Sequence, residues 1–340
     1  MTKEKMATYL WNLPEQFAAM LQQGVQLPPN YIKKYHNIMV TGLGGSAIGG
    51  DILRTYAQAR AAIPITVNRD YDVPAFIDEN SLVLAASYSG NTEETLSAYC
   101  QARDRGASLI AVTSGGKLAD LASAHGAPVV TIPGGLSPRA ATGYLFTPLA
   151  LILQELGIVD GVDKDLNEVV GVLQDMRREI GPDAASEGNL ARQIARDLKG
   201  RLPLIWGSTG HTEIAALRWK TQINENAKCP VFCNSFPELN HNEIVGFEVP
   251  KEILSNTVIV ILHDPEDHVQ VKKRMEISKQ IIRDKVAKVL DVASRGQGFL
   301  AKFYSLAYLG DYTSFYLAEE YAINPTPVTV IDFLKSELNR

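Results

Sequence analysis

A chain of 340 residues, 46% apolar and 21% charged, has material for two domains, or one large α/β unit, with an ample core. Its net charge of -5 and the lack of any basic stripe interleaved with aromatics argue against a nucleic-acid partner, and no apolar run reaches membrane-spanning length. The charged start Met1-Thr2-Lys3-Glu4-Lys5 is read as no secretion signal, and Cys100, Cys229 and Cys233 fit free thiols in a reducing cytoplasm better than a disulfide or metal set.

In chain order, a strand is expected over 37–40, a glycine-rich turn over 42–46 and a helix over 47–59. Strands follow over 63–67 and 81–86, a helix over 91–105, a strand over 108–112, a short helix over 117–124 and a strand over 128–132. Short apolar runs alternating with helical stretches indicate βαβ units and a parallel sheet. An apolar helix over 147–156 leads into a charged helical stretch over 163–198. The pattern then restarts: strand 202–206, turn 207–210, helix 211–226, strand 257–262, helix 266–285 and strand 288–293. A long, largely buried helix over 298–322 follows; its Phe299, Phe303, Tyr304 and Tyr308 recur at helical spacing, as core residues do. Pro325 and Pro327 break it, and a short terminal helix carries Leu334 and Lys335. The expected fold class is α/β, two doubly wound parallel-sheet subdomains joined by helices, with boundaries at 1–155, 156–199 (the connector) and 200–340.

Two turns carry chemistry. Ser87-Tyr88-Ser89-Gly90-Asn91-Thr92 lies where a buried strand gives way to a helix N-terminus, whose first amides lack intrahelical partners and whose dipole end is positive. The hydroxyls of Ser87, Ser89 and Thr92 can donate to phosphate oxygens, and the absence of a lysine sets the run apart from a Walker-type nucleotide loop. Gly42-Leu43-Gly44-Gly45-Ser46-Ala47 also fits a Gly-x-Gly-x-x-Ala dinucleotide pattern, a weak signal. That reading wants an acidic residue ending the second strand, and Asp70, in Val67-Asn68-Arg69-Asp70, comes late. Two anion-binding turns around one small site, with Gly45 and Ser46 in the first, suit a single sugar phosphate.

The strand–Gly-Gly-Ser turn–helix followed by Ser-x-Ser-Gly-x-Thr-x-Glu resembles the sugar isomerase (SIS) domain. Gly207-Ser208, the run from Trp219 to Lys228 containing Asn224-Glu225-Asn226, and Pro237-Glu238-Leu239-Asn240-His241-Asn242-Glu243 resemble the bifunctional phosphoglucose/phosphomannose isomerases over nearly the whole chain. The resemblance implies aldose–ketose isomerisation of glucose 6-phosphate and mannose 6-phosphate to fructose 6-phosphate through a cis-enediol. One base must serve both carbons, a task suited to the carboxylate of Glu225. A solvated helix-end glutamate is the ordinary alternative, and its amide neighbours favour a site. His241 would open the sugar ring from across a homodimer interface, a role needing a group that titrates near neutrality. Arg139, stiffened by Pro138, would face the enediolate, and Lys335 would assist ring opening. His211 is a rival read as a helix-start residue, and Thr326 or Thr329 would accommodate both C2 epimers. The family uses no metal or other cofactor. His263-Asp264-Pro265-Glu266-Asp267-His268 has metal-ligand types but reads as an N-cap with an acidic first turn. The alternatives are a non-catalytic sugar-phosphate regulator, though no basic helix-turn-helix output module is visible, and an isomerase of another sugar phosphate.

Overall fold

The computed structural model describes the backbone of residues 2–338 and the side chains of 5–338. Along the chain run α1 (Thr2–Trp11), α2 (Leu13–Gln23), β1 (Asn37–Thr41), α3 (Gly45–Ala57), β2 (Ile65–Asn68), β3 (Ser81–Ser87), α4 (Glu93–Asp104), β4 (Ser108–Thr113), α5 (Gly116–Ala124), β5 (Val129–Thr131), α6 (Thr142–Glu155) and α7 (Val162–Ile180). Then come α8 (Leu190–Leu198), β6 (Leu202–Ser208), α9 (Glu213–Gln222), β7 (Phe232–Phe236), α10 (Lys251–Leu254), β8 (Thr257–His263), α11 (Val269–Ile282), β9 (Lys288–Ala293), α12 (Phe299–Glu320) and α13 (Thr329–Leu338).

The residues divide into two compact units. An N-terminal unit comprises Asn12–Gly171 with Gly298–Ala301, and a C-terminal unit comprises Val172–Gln297 with Met1–Trp11 and Lys302–Arg340. The N-terminal unit holds a five-stranded parallel sheet, sheet A, in the order β2-β1-β3-β4-β5. Its central strands are buried along their whole length, as both faces of a parallel sheet must be once helices cover them. From β1 the chain steps to β2 on one side; from β3 it steps to β4 and β5 on the other. Right-handed crossovers therefore put α3 on one face and α4 and α5 on the opposite face. On the second face, Val83, Ala85 and Ala111 pack with Ala98, Tyr99 and Leu118.

The C-terminal unit repeats this plan with four parallel strands, sheet B, in the order β7-β6-β8-β9. Trp206, Ile259 and Ile261 of the sheet pack with Met275 and Ile282 of α11. Helix α12 is buried almost throughout; Phe303, Tyr304 and Tyr308 are core residues as expected, while Phe299 is half-buried against Tyr56. Among the described residues no helix is long and apolar enough to cross a membrane.

The structure departs from the sequence reading at identifiable places. The charged stretch 163–198 is two helices, α7 and α8, the second opened by Asn189, whose side chain accepts from the Arg192 amide. The helix expected from 211 starts at Glu213 and ends in a π turn, Ile223–Ala227. Helix α11 starts at Val269, capped by the His268 imidazole rather than by an aspartate. Strand β7 was not anticipated: Phe-Cys-Asn-Ser-Phe lacks the apolar run of an inner strand because it is the sheet edge.

Candidate active site

In each sheet the chain reverses its direction of growth between two central strands, and ligands of open α/β sheets bind beyond the carboxyl ends of the strands at that switch point. In sheet A the switch lies between β1 and β3, whose paired ends, Thr41 and Ala85, lead directly into the two turns singled out from sequence. Gly42 lies so close to the Ala86 carbonyl and the Ser46 side chain that the two turns share one rim.

Ser46 is buried in the first turn of α3, and no side chain caps that helix. In the second turn the Ser87 and Thr92 hydroxyls lie 2.9 Å apart, and Ser87 Oγ accepts from the Gly90 amide at 3.1 Å. One proton suffices for the Ser87–Thr92 bond, so a hydroxyl proton is left for a ligand. Thr92 precedes α4 without making a side-chain cap, which leaves the first amides of that helix available to an anion. Ser89 is exposed beside them. The shape of this turn is imposed by its neighbour: Gly90 has a φ of 67°, and a Cβ there would overlap the Gly115 carbonyl.

Arg139 stands at the same rim. It lies in a 3-10 turn, Pro138–Ala140, packed so closely on Gly45 that a Cβ at 45 would sit 2.9 Å from the Pro138 carbonyl oxygen. The guanidinium belongs to a residue only 5% exposed, not to a surface arginine, and supplies a fixed positive charge in a place poorly screened by water. The sequence reading missed Tyr88. Its hydroxyl donates to the Pro133 carbonyl at 2.9 Å and accepts from the Leu136 amide at 3.0 Å, so the hydroxyl turn itself holds the segment that delivers Arg139. Asp70, the indifferent dinucleotide candidate, is exposed and its carboxylate accepts from the Tyr71 amide at 2.7 Å.

In the C-terminal unit, Glu225 sits on the π turn that ends α9, half-buried. Such turns interrupt the regular helical hydrogen bonds and are common at functional sites. Four residues that sequence reasoning left without a role anchor this one to α12. Arg218 pairs with Asp311 at 2.7 Å, both 1% exposed, and Gln222 donates to the other Asp311 oxygen at 2.7 Å. Trp219 Nε1 donates to the Leu306 carbonyl at 2.7 Å, and Asn226 donates to Ser314 at 2.9 Å. The asparagine following Glu225 is thus structural. A cavity of about 410 Å³ is lined by Asn224, Glu225, Lys228, Cys229 and the stretch Val328–Ile331. Burial pushes the Cys229 thiol up, which makes it a poor nucleophile there. Lys335 lies one helical turn beyond that lining on α13, exposed.

His241 is elsewhere. It ends a 3-10 turn, Glu238–His241, after the carboxyl end of β7, whereas Glu225 precedes the amino end of the same strand. The five residues of that strand, rising about 3.3 Å each, run between the two positions. The asparagines and glutamate around His241 are tied down: Asn240 donates to Ser278 at 2.7 Å, and Glu243 accepts from Trp206 Nε1 at 2.8 Å and from Asn234 at 2.5 Å. The imidazole is left exposed at the end of a fixed loop. His211 lies in the turn after β6, at that same carboxyl edge and away from Glu225.

The switch point of sheet B, between β6 and β8, is filled from within. Ser208 Oγ donates to Asp267, whose second oxygen accepts from the Asp264 amide at 2.8 Å. Lys302, 3% exposed, pairs with Glu266 at 2.7 Å and Asp264 at 3.4 Å. The Lys302 ammonium beside Glu266 holds its carboxyl below the usual range. The acidic run is an internal ion-pair cluster rather than a cap, and among the described residues no group of three or more His, Cys, Asp or Glu side chains could hold a metal ion.

Residues 31–128 match the SIS domain, and residues 187–338 match the bacterial phospho-glucose isomerase C-terminal SIS domain. The chain is 49% identical over 330 residues, 97% of each chain, to the bifunctional phosphoglucose/phosphomannose isomerase of Caldicellulosiruptor bescii, and 35% identical to that of Aquifex aeolicus over 90% of this chain and 91% of that one. The D-glucosamine-6-phosphate 4-epimerase of Sulfolobus acidocaldarius is 31% identical over 68% of this chain and 71% of its own. Among solved structures, the C-terminal domain of glucosamine-fructose-6-phosphate aminotransferase from Francisella tularensis superimposes with a TM-score of 0.71 at 13% identity, covering 96% of this chain and all of that one, a likeness of fold.

Proposed function

The chain belongs to the bifunctional phosphoglucose/phosphomannose isomerases, and on that premise we propose that it interconverts glucose 6-phosphate and mannose 6-phosphate with fructose 6-phosphate through a cis-enediol. The observation that carries the chemical assignment is the Glu225 turn, a carboxylate on an irregular helix end, braced by buried bonds and facing a sugar-sized cavity. Glu225 takes the proton from C2 of the open-chain aldose and returns it to C1, while the hydroxyl proton passes from O2 to O1. Arg139 stabilises the enediolate, where its fixed charge counts only as negative charge develops. The sugar phosphate is held by the amides and hydroxyls at Gly45, Ser46, Ser87, Ser89 and Thr92.

Ring opening falls to Lys335 and to a histidine. β7 lies between Glu225 and His241 within one chain, which supports the reading taken from the family that the histidine serving each Glu225 is the partner subunit's His241 and that the active unit is a homodimer. Exposed apolar side chains beside the histidine loop, Val245 at 72%, Val249 at 73% and Ile253 at 53%, support an interface there. Of the two threonines considered for epimer tolerance, Thr329 lines the Glu225 cavity and is favoured. In this reading residues 1–155 form the phosphate-binding SIS subdomain, 156–199 the helical connector and 200–340 the catalytic SIS subdomain. Three free thiols fit a cytoplasmic enzyme of carbohydrate metabolism, serving glycolysis or gluconeogenesis as flux dictates.

The test is an assay of the pure protein on glucose 6-phosphate, mannose 6-phosphate and glucosamine 6-phosphate side by side. Fructose 6-phosphate formed from the first two is expected. Binding of sugar phosphate without turnover would instead favour a regulator, and turnover of glucosamine 6-phosphate alone an enzyme of different specificity.

A further inference from the structure

The two described non-glycine residues with left-handed backbones are Lys228, with a φ of 56°, and Ala322, with a φ of 54°. Side chains resist this conformation because Cβ crowds the neighbouring carbonyl, and such residues persist where surrounding structure compels them. Both border one short connection. Lys228 closes the π turn that carries Glu225. Ala322 ends α12 in a Schellman arrangement, its own amide donating to Glu319 at 2.9 Å and the Ile323 amide to Ala318 at 2.8 Å, in the place a glycine ordinarily takes. Beyond it the chain passes through Pro325 and Pro327 into α13.

The Lys228 ammonium spans this connection. It donates to the Glu225 carbonyl, to the Pro327 carbonyl at 2.8 Å and to the Pro325 carbonyl at 3.3 Å. An ammonium has three donors, and these three carbonyls match them. The left-handed twist at 228 keeps the start of its side chain beside the turn it has just left. Helix α13 buries no side chain, so packing alone does little to hold it in place. Yet Val328, Thr329, Val330 and Ile331 wall the cavity faced by Glu225.

We infer that Lys228 is a positioning residue that ties the Glu225 turn to the C-terminal helix, so that the base and the wall opposite it keep a fixed spacing. The inference rests on Glu225 being the base, and it assigns Lys228 no contact with substrate. A side chain serving only as a helix end-cap would need the Glu225 carbonyl alone; the bonds to Pro325 and Pro327 are what an end-cap does not require.

The experiment uses the full-length protein with Lys228→Gly, which relieves the backbone strain and removes the ammonium, and with Lys228→Arg, which keeps a cation able to reach carbonyls. In Lys228→Gly the amides of 329–338 should exchange hydrogen roughly tenfold faster or more, as expected when charge-assisted bonds holding a marginal helix are lost. In the same variant kcat should fall roughly tenfold or more, with KM changed less than about threefold. Lys228→Arg should recover part of both. Unchanged exchange in 329–338, or faster exchange with kcat intact, overturns the inference. Exchange needs no turnover: if the wild-type protein fails to isomerise, the assignment of Glu225 fails, while the exchange measurement still decides whether Lys228 holds the helix.

Discussion

At the switch point of sheet A, Ser87 and Thr92 share a hydrogen bond and leave the amides opening α4 without a side-chain cap. At the switch point of sheet B, Asp267 takes a bond from Ser208 and another from the Asp264 amide, and Lys302 lies buried beneath the acidic turn. Both edges follow one topology, with a hydroxyl-bearing turn after the first central strand and a polar turn after the second. The difference is the carboxylate: sheet A leaves the amides opening α4 without a side-chain cap, whereas sheet B carries its own carboxylate and is closed by it. The same fold therefore presents an open edge in one unit and a closed edge in the other, and in the second unit the proposed base, Glu225, lies on the π turn before the amino end of β7, away from that edge.

This division can be attacked from both sides. The largest effect is expected from Glu225→Gln: kcat should fall roughly 10²- to 10⁴-fold, the range of a lost general base, while a sugar phosphate still binds by calorimetry. Loss of binding with continued exchange of the C2 proton into solvent would remove Glu225 from its role. Next comes Thr92→Val, which keeps the shape of the turn but deletes a donor. KM should rise about tenfold, the worth of one hydrogen bond to a charged group, with kcat little changed. A fall in kcat at constant KM would mean that the turn takes part in chemistry rather than anchoring. The smallest kinetic effect belongs to Asp267→Asn. Both constants should stay put while unfolding free energy drops by about 1–3 kcal/mol, because the amide sets a donor against donors in a buried site. A shift in KM would show that the second edge also meets substrate.

What the sequence made legible differs between the same two regions. The hydroxyl turn and the glycine turn are contiguous motifs, and β1 and β3 are apolar runs buried on both faces, so that edge of sheet A could be read residue by residue. Glu225 could be named only through its family likeness, since a π turn is a change of backbone bonding that leaves no periodicity. The Asp311 pair with Arg218 joins residues 93 positions apart, a distance across which local pattern says nothing. Strand β7 escaped because an edge strand with one face toward solvent need not be apolar, and the start of α11 was misplaced because Asp264, Glu266 and Asp267 serve Ser208 and Lys302 rather than a helix end. Arg139, by frequency a surface residue, turned out buried because the Gly45 turn admits the Pro138 backbone at van der Waals range.

The interlock beneath the hydroxyl turn has a bearing on how this chain can vary. Gly90 faces the Gly115 carbonyl and Gly116 faces the Ser89 carbonyl, each too near to admit even a methyl group. Neither glycine can be exchanged alone without driving a neighbouring peptide aside, and a concerted exchange would have to reshape two loops at once. Inheritance is thereby constrained at the loop after β4, through its contact with the hydroxyl turn. Around the proposed phosphate anchor this barrier stands on the far side of the turn, where Asn91 also accepts from the Lys117 amide at 3.1 Å, so the two loops must vary together.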